Sequence, residues 1–352
     1  MQLIFWIFIL LFSFYVLALI CDEYFVDSLE KIAKKLKLSP DAAGATLIAV
    51  GSSAPELFVS LSALFLPGEN TPIGVGTIVG SALFNILVIV GASALVNKLI
   101  IQWQSIIRDL SFYFISILLL LWFFSDGQIT LFESLTFLIF YIIYVVAVIN
   151  WKKILPYQSP EFSDSSKNTA SEKNQKNLLY VVNKPIQYLF KKIFPKPDQY
   201  YLIFFISIIF ISIFSAILVE GAQAIGHIIG VPSIIIALIV LAAGTSIPDL
   251  MSSIIVARQG YGGMAVSNAI GSNVFDIFIG LGFPWTLAMI IHQKTIVVDN
   301  NNLAQSILIL FSTIILLFAM FFIEKWKLGK KSGFILIGIY VLYLLWTLLK
   351  AF

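Results

Sequence analysis

Ten apolar segments, each long enough to cross a lipid bilayer, divide this chain of 352 residues and leave it few ways to fold. They fall at about 2–29, 41–66, 71–97, 105–125, 128–151, 200–229, 232–257, 262–291, 303–323 and 332–351. About 20 apolar residues in helical form span roughly 30 Å of hydrocarbon, where a backbone must satisfy its own hydrogen bonds. Transmembrane β-strands are about half that length and alternate in polarity, which excludes a barrel. Only 12% of the residues are charged and mean hydropathy is +0.97, against roughly 25% charge in a soluble domain. The expected class is an all-α integral membrane protein whose main partner is the lipid bilayer. The first segment lacks a basic start and a small-residue cleavage site, so it reads as a retained span and not a leader.

Lys and Arg placement orients the chain. With the N-terminus outside, 20 of the 22 basic residues fall on the inner side, leaving only Lys294 and Lys350 outside. Both termini are therefore expected on the non-cytosolic side. Residues 152–199 interrupt the span pattern as a cytosolic linker, polar and disordered over 159–177. Residues 178–194 mix apolar side chains with Lys184, Lys191 and Lys192, and read either as a plain connector or as an amphipathic segment on the inner leaflet. The short connectors Leu38-Ser-Pro40, Pro67-Gly-Glu-Asn70, Ser125-Asp-Gly-Gln128 and Gly230-Val-Pro232 carry turn residues. The linker leaves two five-span halves, 1–151 and 200–352.

Two polar interruptions recur between these halves. Gly51-Ser-Ser-Ala-Pro-Glu56-Leu57 returns as Gly244-Thr-Ser-Ile-Pro-Asp249-Leu250, 193 residues later. Gly80-Ser-Ala-Leu-Phe-Asn85-Ile86 returns as Gly271-Ser-Asn-Val-Phe-Asp276-Ile277, 191 residues later. The repeated regions are 41–97 and 232–291. An odd number of spans per half inverts one copy relative to the other, so the expected architecture is ten transmembrane helices as two inverted five-helix repeats. Gly/Pro-interrupted segments in corresponding positions of inverted repeats are the sequence mark of a transporter's midplane site.

At about 1.5 Å per helical residue, Glu56, Asn85, Asp249 and Asp276 all fall near mid-membrane. A carboxylate there costs at least about 2.5–3.5 kcal/mol, and no Lys or Arg shares the spans of these three acids. A bound cation is one compensation; protonation is another, and would make the acids a proton relay. Pro55 and Pro248 each remove a backbone donor and free carbonyls in the preceding turn. Those carbonyls, the hydroxyls of Ser52, Ser53, Thr245 and Ser246, and the carboxylates form an all-oxygen set suited to hard cations, with Ser81, Asn85, Ser272 and Asp276 adding oxygens from adjacent spans. The small residues also suit close helix packing, as in Gly76-Thr-Ile-Val-Gly80. One cysteine, Cys21, and two histidines exclude an intrachain disulfide and a Cys/His metal cluster. His227 and His292 fall at outer span ends, while Asp22, Glu23, Asp27 and Glu220 read as helix-end groups or an access path. Nothing suggests nucleic-acid binding.

The motifs GSSAPEL with GVGTIVGSALFNI, and GTSIPDL with GSNVFDIFIGLGFPW, resemble the two α-repeats of the calcium/cation antiporter superfamily, and within it the potassium-dependent sodium/calcium exchangers. Cys21-Asp-Glu-Tyr-Phe-Val26 resembles the end of that branch's first conserved span. The resemblance implies alternating access, with Na⁺ entry driving Ca²⁺ out and K⁺ carried with Ca²⁺, and no cofactor or enzymatic step. It implies that Glu56 and Asp249 coordinate Ca²⁺ and Na⁺, that Asp276 confers K⁺ dependence with Asn85 as its counterpart, and that Ser52, Ser53, Thr245, Ser246, Ser81 and Ser272 are hydroxyl ligands. Ala49 and Ala242 match backbone-carbonyl positions. The linker is far shorter than in animal members, so a regulatory domain there is missing. Two other readings stay open on the residues alone: an H⁺/Ca²⁺ or other divalent-cation exchanger on the same acids, and a non-transporting sensor or channel. An intramembrane aspartyl protease on Asp249 and Asp276 fits poorly, because neither acid lies in a Gly-x-Gly-Asp pattern and the repeat would then serve nothing.

Overall fold

The computed structural model describes residues 2–35, 42, 44–65, 71–157, 188–293, 295–297 and 300–351. It is almost entirely helical. Among the described residues, seven helices are long and apolar enough to cross a membrane, and nine if each of two bent pairs is one span. Gln2–Leu17 is a shorter apolar helix in the position of the first expected span. The expected turns at 38–40 and 67–70 and the expected disorder over 159–177 lie outside the described residues.

The two bends coincide with the two polar motifs. Gly44–Ser52 meets Ala54–Phe65 at 50°, and Ile234–Thr245 meets Ile247–Arg258 at 41°. Pro55 and Pro248 have no N–H to return to the carbonyls of Gly51 and Gly244. The chain instead tightens: the Ser53 N–H turns to the Ala49 and Gly51 carbonyls, and the Ser246 N–H to those of Ala242 and Gly244. Both serines leave helical geometry, at ψ 8° and ψ 6°, and a new helix starts after each.

Wider π-helical turns precede or follow these breaks. They cover Gly44–Ile48 and Ala237–Leu241, 193 residues apart, and Asn85–Ile89 and Asp276–Leu281, 191 residues apart. Such turns re-aim side chains within a continuing helix. Here they open at Asn85 and Asp276.

Small residues set how closely these helices cross. A Cβ at Gly80 would strike the Leu238 carbonyl and the Ala242 Cβ. A Cβ at Gly271 would lie 2.8 Å from the Ala45 carbonyl oxygen and 3.0 Å from its Cα. Backbone cannot rotate aside as a side-chain tip does. Gly271→Ala is therefore expected to destabilise the fold by about 1–3 kcal/mol, read as a fall in Tm of the detergent-solubilised protein. An unchanged Tm would show that the two helices are not held this close.

Two pairs of connectors between spans join as short antiparallel strands. Leu99–Ile100 pairs with Lys327–Leu328, and Gln128–Ile129 with Ile296–Val297. Side-by-side connectors satisfy otherwise free backbone groups this way. At the edge of the molecule Gln2–Ile20 packs along Tyr200–Ile229, with Leu10, Phe14, Leu17, Ile211 and Leu218 buried. The described end of the linker closes over this pair: Phe194 stacks on Tyr24 at 3.9 Å and Phe190 meets Phe210 at 5.7 Å. Tyr188, Leu189, Lys191, Lys192 and Ile193 are exposed on its other face.

Candidate functional site

The two breaks and the two π turns converge in the interior. Glu56, Asp249, Asp276 and Asn85 are all completely buried, as are Ser53, Ser81, Ser246 and Ser272. The hydrogen bonds cross between the halves of the chain. Ser246 Oγ donates to Glu56 Oε1 at 2.9 Å, and Ser53 Oγ lies 3.4 Å from Asp249 Oδ2. Within each half the following helix adds a hydroxyl: Ser81 Oγ to Glu56 Oε1 at 3.3 Å, and Ser272 Oγ to Asp249 Oδ1 at 2.9 Å. Ser52 and Thr245 donate back to the Ile48 and Leu241 carbonyls, at 2.8 and 2.9 Å, and lie beside Asp249 and Glu56 respectively. The Ala49 and Ala242 carbonyls accept the N–H groups of Ser53 and Ser246, at 2.9 and 3.2 Å, and the Ala242 carbonyl also faces Ser81 Oγ at 3.3 Å.

Asn85 Nδ2 lies 2.9 Å from Asn273 Oδ1 and 3.5 Å from Asp249 Oδ2. Asn273 in turn donates to the Ala82 carbonyl at 3.1 Å. Asp276 feels the charges of Glu56 and Asp249 and lies beside Ser53. Among the described residues, neither Asp276 oxygen has a protein partner, and Glu56 Oε2 and Asn85 Oδ1 likewise have none. No group of three Asp, Glu, His or Cys side chains among the described residues forms a ready metal centre. Hydroxyls separate the acids, so the donor set is a mixture of carboxylate, hydroxyl, amide and carbonyl oxygens. That chemistry fits a hard cation and not a soft metal.

All twelve residues singled out in the sequence thus lie at or beside this junction. Other charged candidates do not reach it: Glu23, Asp27, Glu220, His227 and His292 are exposed, and His292 packs against Phe65 at the protein edge. Asn273 is a further member of the cluster; its repeat counterpart is Ala82, and that asymmetry marks it in the sequence. Arg108, an inner-side charge by its place in the sequence, is fully buried and paired with Asp109 at 2.7 Å.

These observations define a membrane transport protein of the helical, internally broken type. A family model described as "Sodium/calcium exchanger protein" matches residues 6–150 and 199–349, and the chain belongs to that family. It is 29% identical to human sodium/potassium/calcium exchanger 2, over 97% of this chain and 77% of that protein. It is 31% identical to the chicken exchanger 2, covering 97% and 76%, and 29% identical to human exchanger 4, covering 97% and 80%. Among solved structures, the sodium-calcium exchanger NCX_Mj soaked with Na⁺ and Sr²⁺ matches with a TM-score of 0.61, over 97% of this chain and 98% of that one, at 22% identity. That likeness carries the fold.

Proposed function

We propose that this protein exchanges Na⁺ for Ca²⁺ by alternating access, carrying K⁺ together with Ca²⁺. Glu56 and Asp249 hold Ca²⁺ and Na⁺ in turn. Ser52, Ser53, Ser81, Thr245, Ser246, Ser272 and the carbonyls of Ala49 and Ala242 complete the shell. Asp276 takes K⁺, and Asn85 stands opposite it as the neutral partner. The observation that carries this reading is the crosswise bonding of the two central acids, Glu56 to Ser246 and Asp249 to Ser53. Each acid is built into the other half's break, so relative motion of the halves changes both coordination shells at once. That is what a site exposed alternately to two sides requires.

Ten spans in two inverted halves, with both termini on the non-cytosolic side, are the frame of this reading. The recurrence of the π turns and of the Gly80 and Gly271 crossings at the repeat spacing supports it. The names of the exchanger relatives support K⁺ involvement.

A second reading, an H⁺/Ca²⁺ or other divalent-cation exchanger, is favoured by one feature: among the described residues the acids have no basic partner, and protonation also removes a buried charge. Vesicles with an imposed pH gradient and no Na⁺ separate the two. Ca²⁺ uptake is expected to be absent there and to appear when a Na⁺ gradient replaces the pH gradient. Uptake driven by pH alone would establish the second reading.

A further inference from the structure

A second buried charge cluster lies behind the candidate site. Arg108 and Asp109 are successive, fully buried residues near the start of the Trp103–Phe123 helix. Arg108 Nε and Nη2 donate to the two Asp109 oxygens at 2.7 and 3.0 Å, a bidentate pair. Each oxygen accepts one more bond, from the Tyr144 hydroxyl at 3.1 Å and from the Ser267 hydroxyl at 2.9 Å. Packing alone does not call for this, because apolar side chains of similar volume fill such a space without the desolvation cost of two ions.

The geometry shows what the acid grips. Ser267 lies one helical turn before Gly271, on the same face of the Gly262–Phe275 helix. Gly271 is where that helix meets the Ala45 backbone. The Tyr144 hydroxyl stands 3.4 Å from the same Ala45 carbonyl. Asp109 therefore clamps both sides of one crossing, holding Gly262–Phe275 through Ser267 and, more weakly, Gly44–Ser52 through Tyr144, whose single hydroxyl proton is shared between Asp109 and the Ala45 carbonyl. Past the crossing these two segments deliver Ser272 and Ser53, whose hydroxyls both face Asp249, at 2.9 and 3.4 Å. The matching crossing in the other half, Gly80 on Leu238, has behind it the Asn300–Ile323 helix, which contains no Asp, Glu, Lys or Arg. The charged clamp is one-sided.

We infer that Asp109 is a positioning residue for ion binding: held by Arg108, it fixes the relative register of two helices so that Ser53 and Ser272 converge on Asp249. The inference rests on Asp249 as an ion ligand. Ser267→Ala tests it, since that change removes one arm of the clamp and leaves the ion pair intact. Half-saturating Ca²⁺ is measured both as flux into proteoliposomes and as the Ca²⁺-induced rise in Tm in detergent, which needs no transport. In both it is expected to rise roughly tenfold, equivalent to about 1.4 kcal/mol, while maximal flux stays close to wild type. Tyr144→Phe, which removes the other arm, should move the same quantity in the same direction. Unchanged half-saturation in both variants overturns the inference, as does a lower maximal flux at unchanged half-saturation, the mark of a purely structural bond. A wild-type protein that Ca²⁺ does not stabilise overturns the ion-site reading itself. A stabilised wild type with both variants unaltered overturns only the positioning role.

Discussion

Glu56→Gln and Asp249→Asn are each expected to reduce Na⁺-driven ⁴⁵Ca²⁺ flux in vesicles by more than about a hundredfold, corresponding to ~2.7 kcal/mol or more. Both substitutions keep the side chain's volume and leave an amide oxygen for the hydroxyls now facing it, Ser246 for position 56 and Ser272 for position 249. The fold should therefore survive. Removing an unpaired buried charge also removes its desolvation cost, so Tm is expected to hold or rise as flux disappears. Lost function with retained stability is the signature of a group whose charge serves binding. Wild-type flux in either variant would sink the assignment of the two acids.

Asp276→Asn should have a different outcome. Asp276 is buried, and neither carboxylate oxygen has a partner among the described residues, while the central acids are each held by hydroxyls. It lies opposite Asn85 in the repeat, so the asparagine variant makes the site symmetric at that position. Exchange is expected to continue within about tenfold of wild type, ~1.4 kcal/mol, and its stimulation by K⁺ to vanish. The check is Ca²⁺ flux against K⁺ concentration at a fixed Na⁺ gradient. K⁺ stimulation that persists in the variant would move the K⁺ site elsewhere. Indifference to K⁺ in the wild type would remove the K⁺-coupled reading altogether.

Much of this site was legible in the sequence because membranes make polar residues conspicuous. A proline one residue before an acid, preceded by hydroxyls in an apolar run, announces a broken helix with a buried charge, and two such motifs announce a repeat. The bends at Ser53 and Ser246 fall where Pro55 and Pro248 require them. Which acid meets which hydroxyl was not legible. Local spacing joins Glu56 to Ser52 and Ser53, yet Ser53 faces Asp249, and Glu56 is held by Ser246 and Ser81. Crosswise contacts of this kind depend on how the halves interlock, and no local pattern records that.

The burial of Arg108 was not legible for a related reason. A basic residue near a span end normally reaches for the interface, so it reads as an inner-side charge. The adjacent Asp109, together with Tyr144 and Ser267 from distant helices, turns it inward. The strand pairs between connectors were hidden because two residues each are too few to carry a pattern.

The most direct test of the account is Ca²⁺ flux by the purified protein in proteoliposomes, with Na⁺ and K⁺ gradients varied independently and no pH gradient. Ca²⁺ is expected to accumulate against its gradient only when Na⁺ runs the opposite way, and faster when K⁺ is present on the side from which Ca²⁺ is taken. Ca²⁺ movement that is indifferent to the Na⁺ gradient would contradict it.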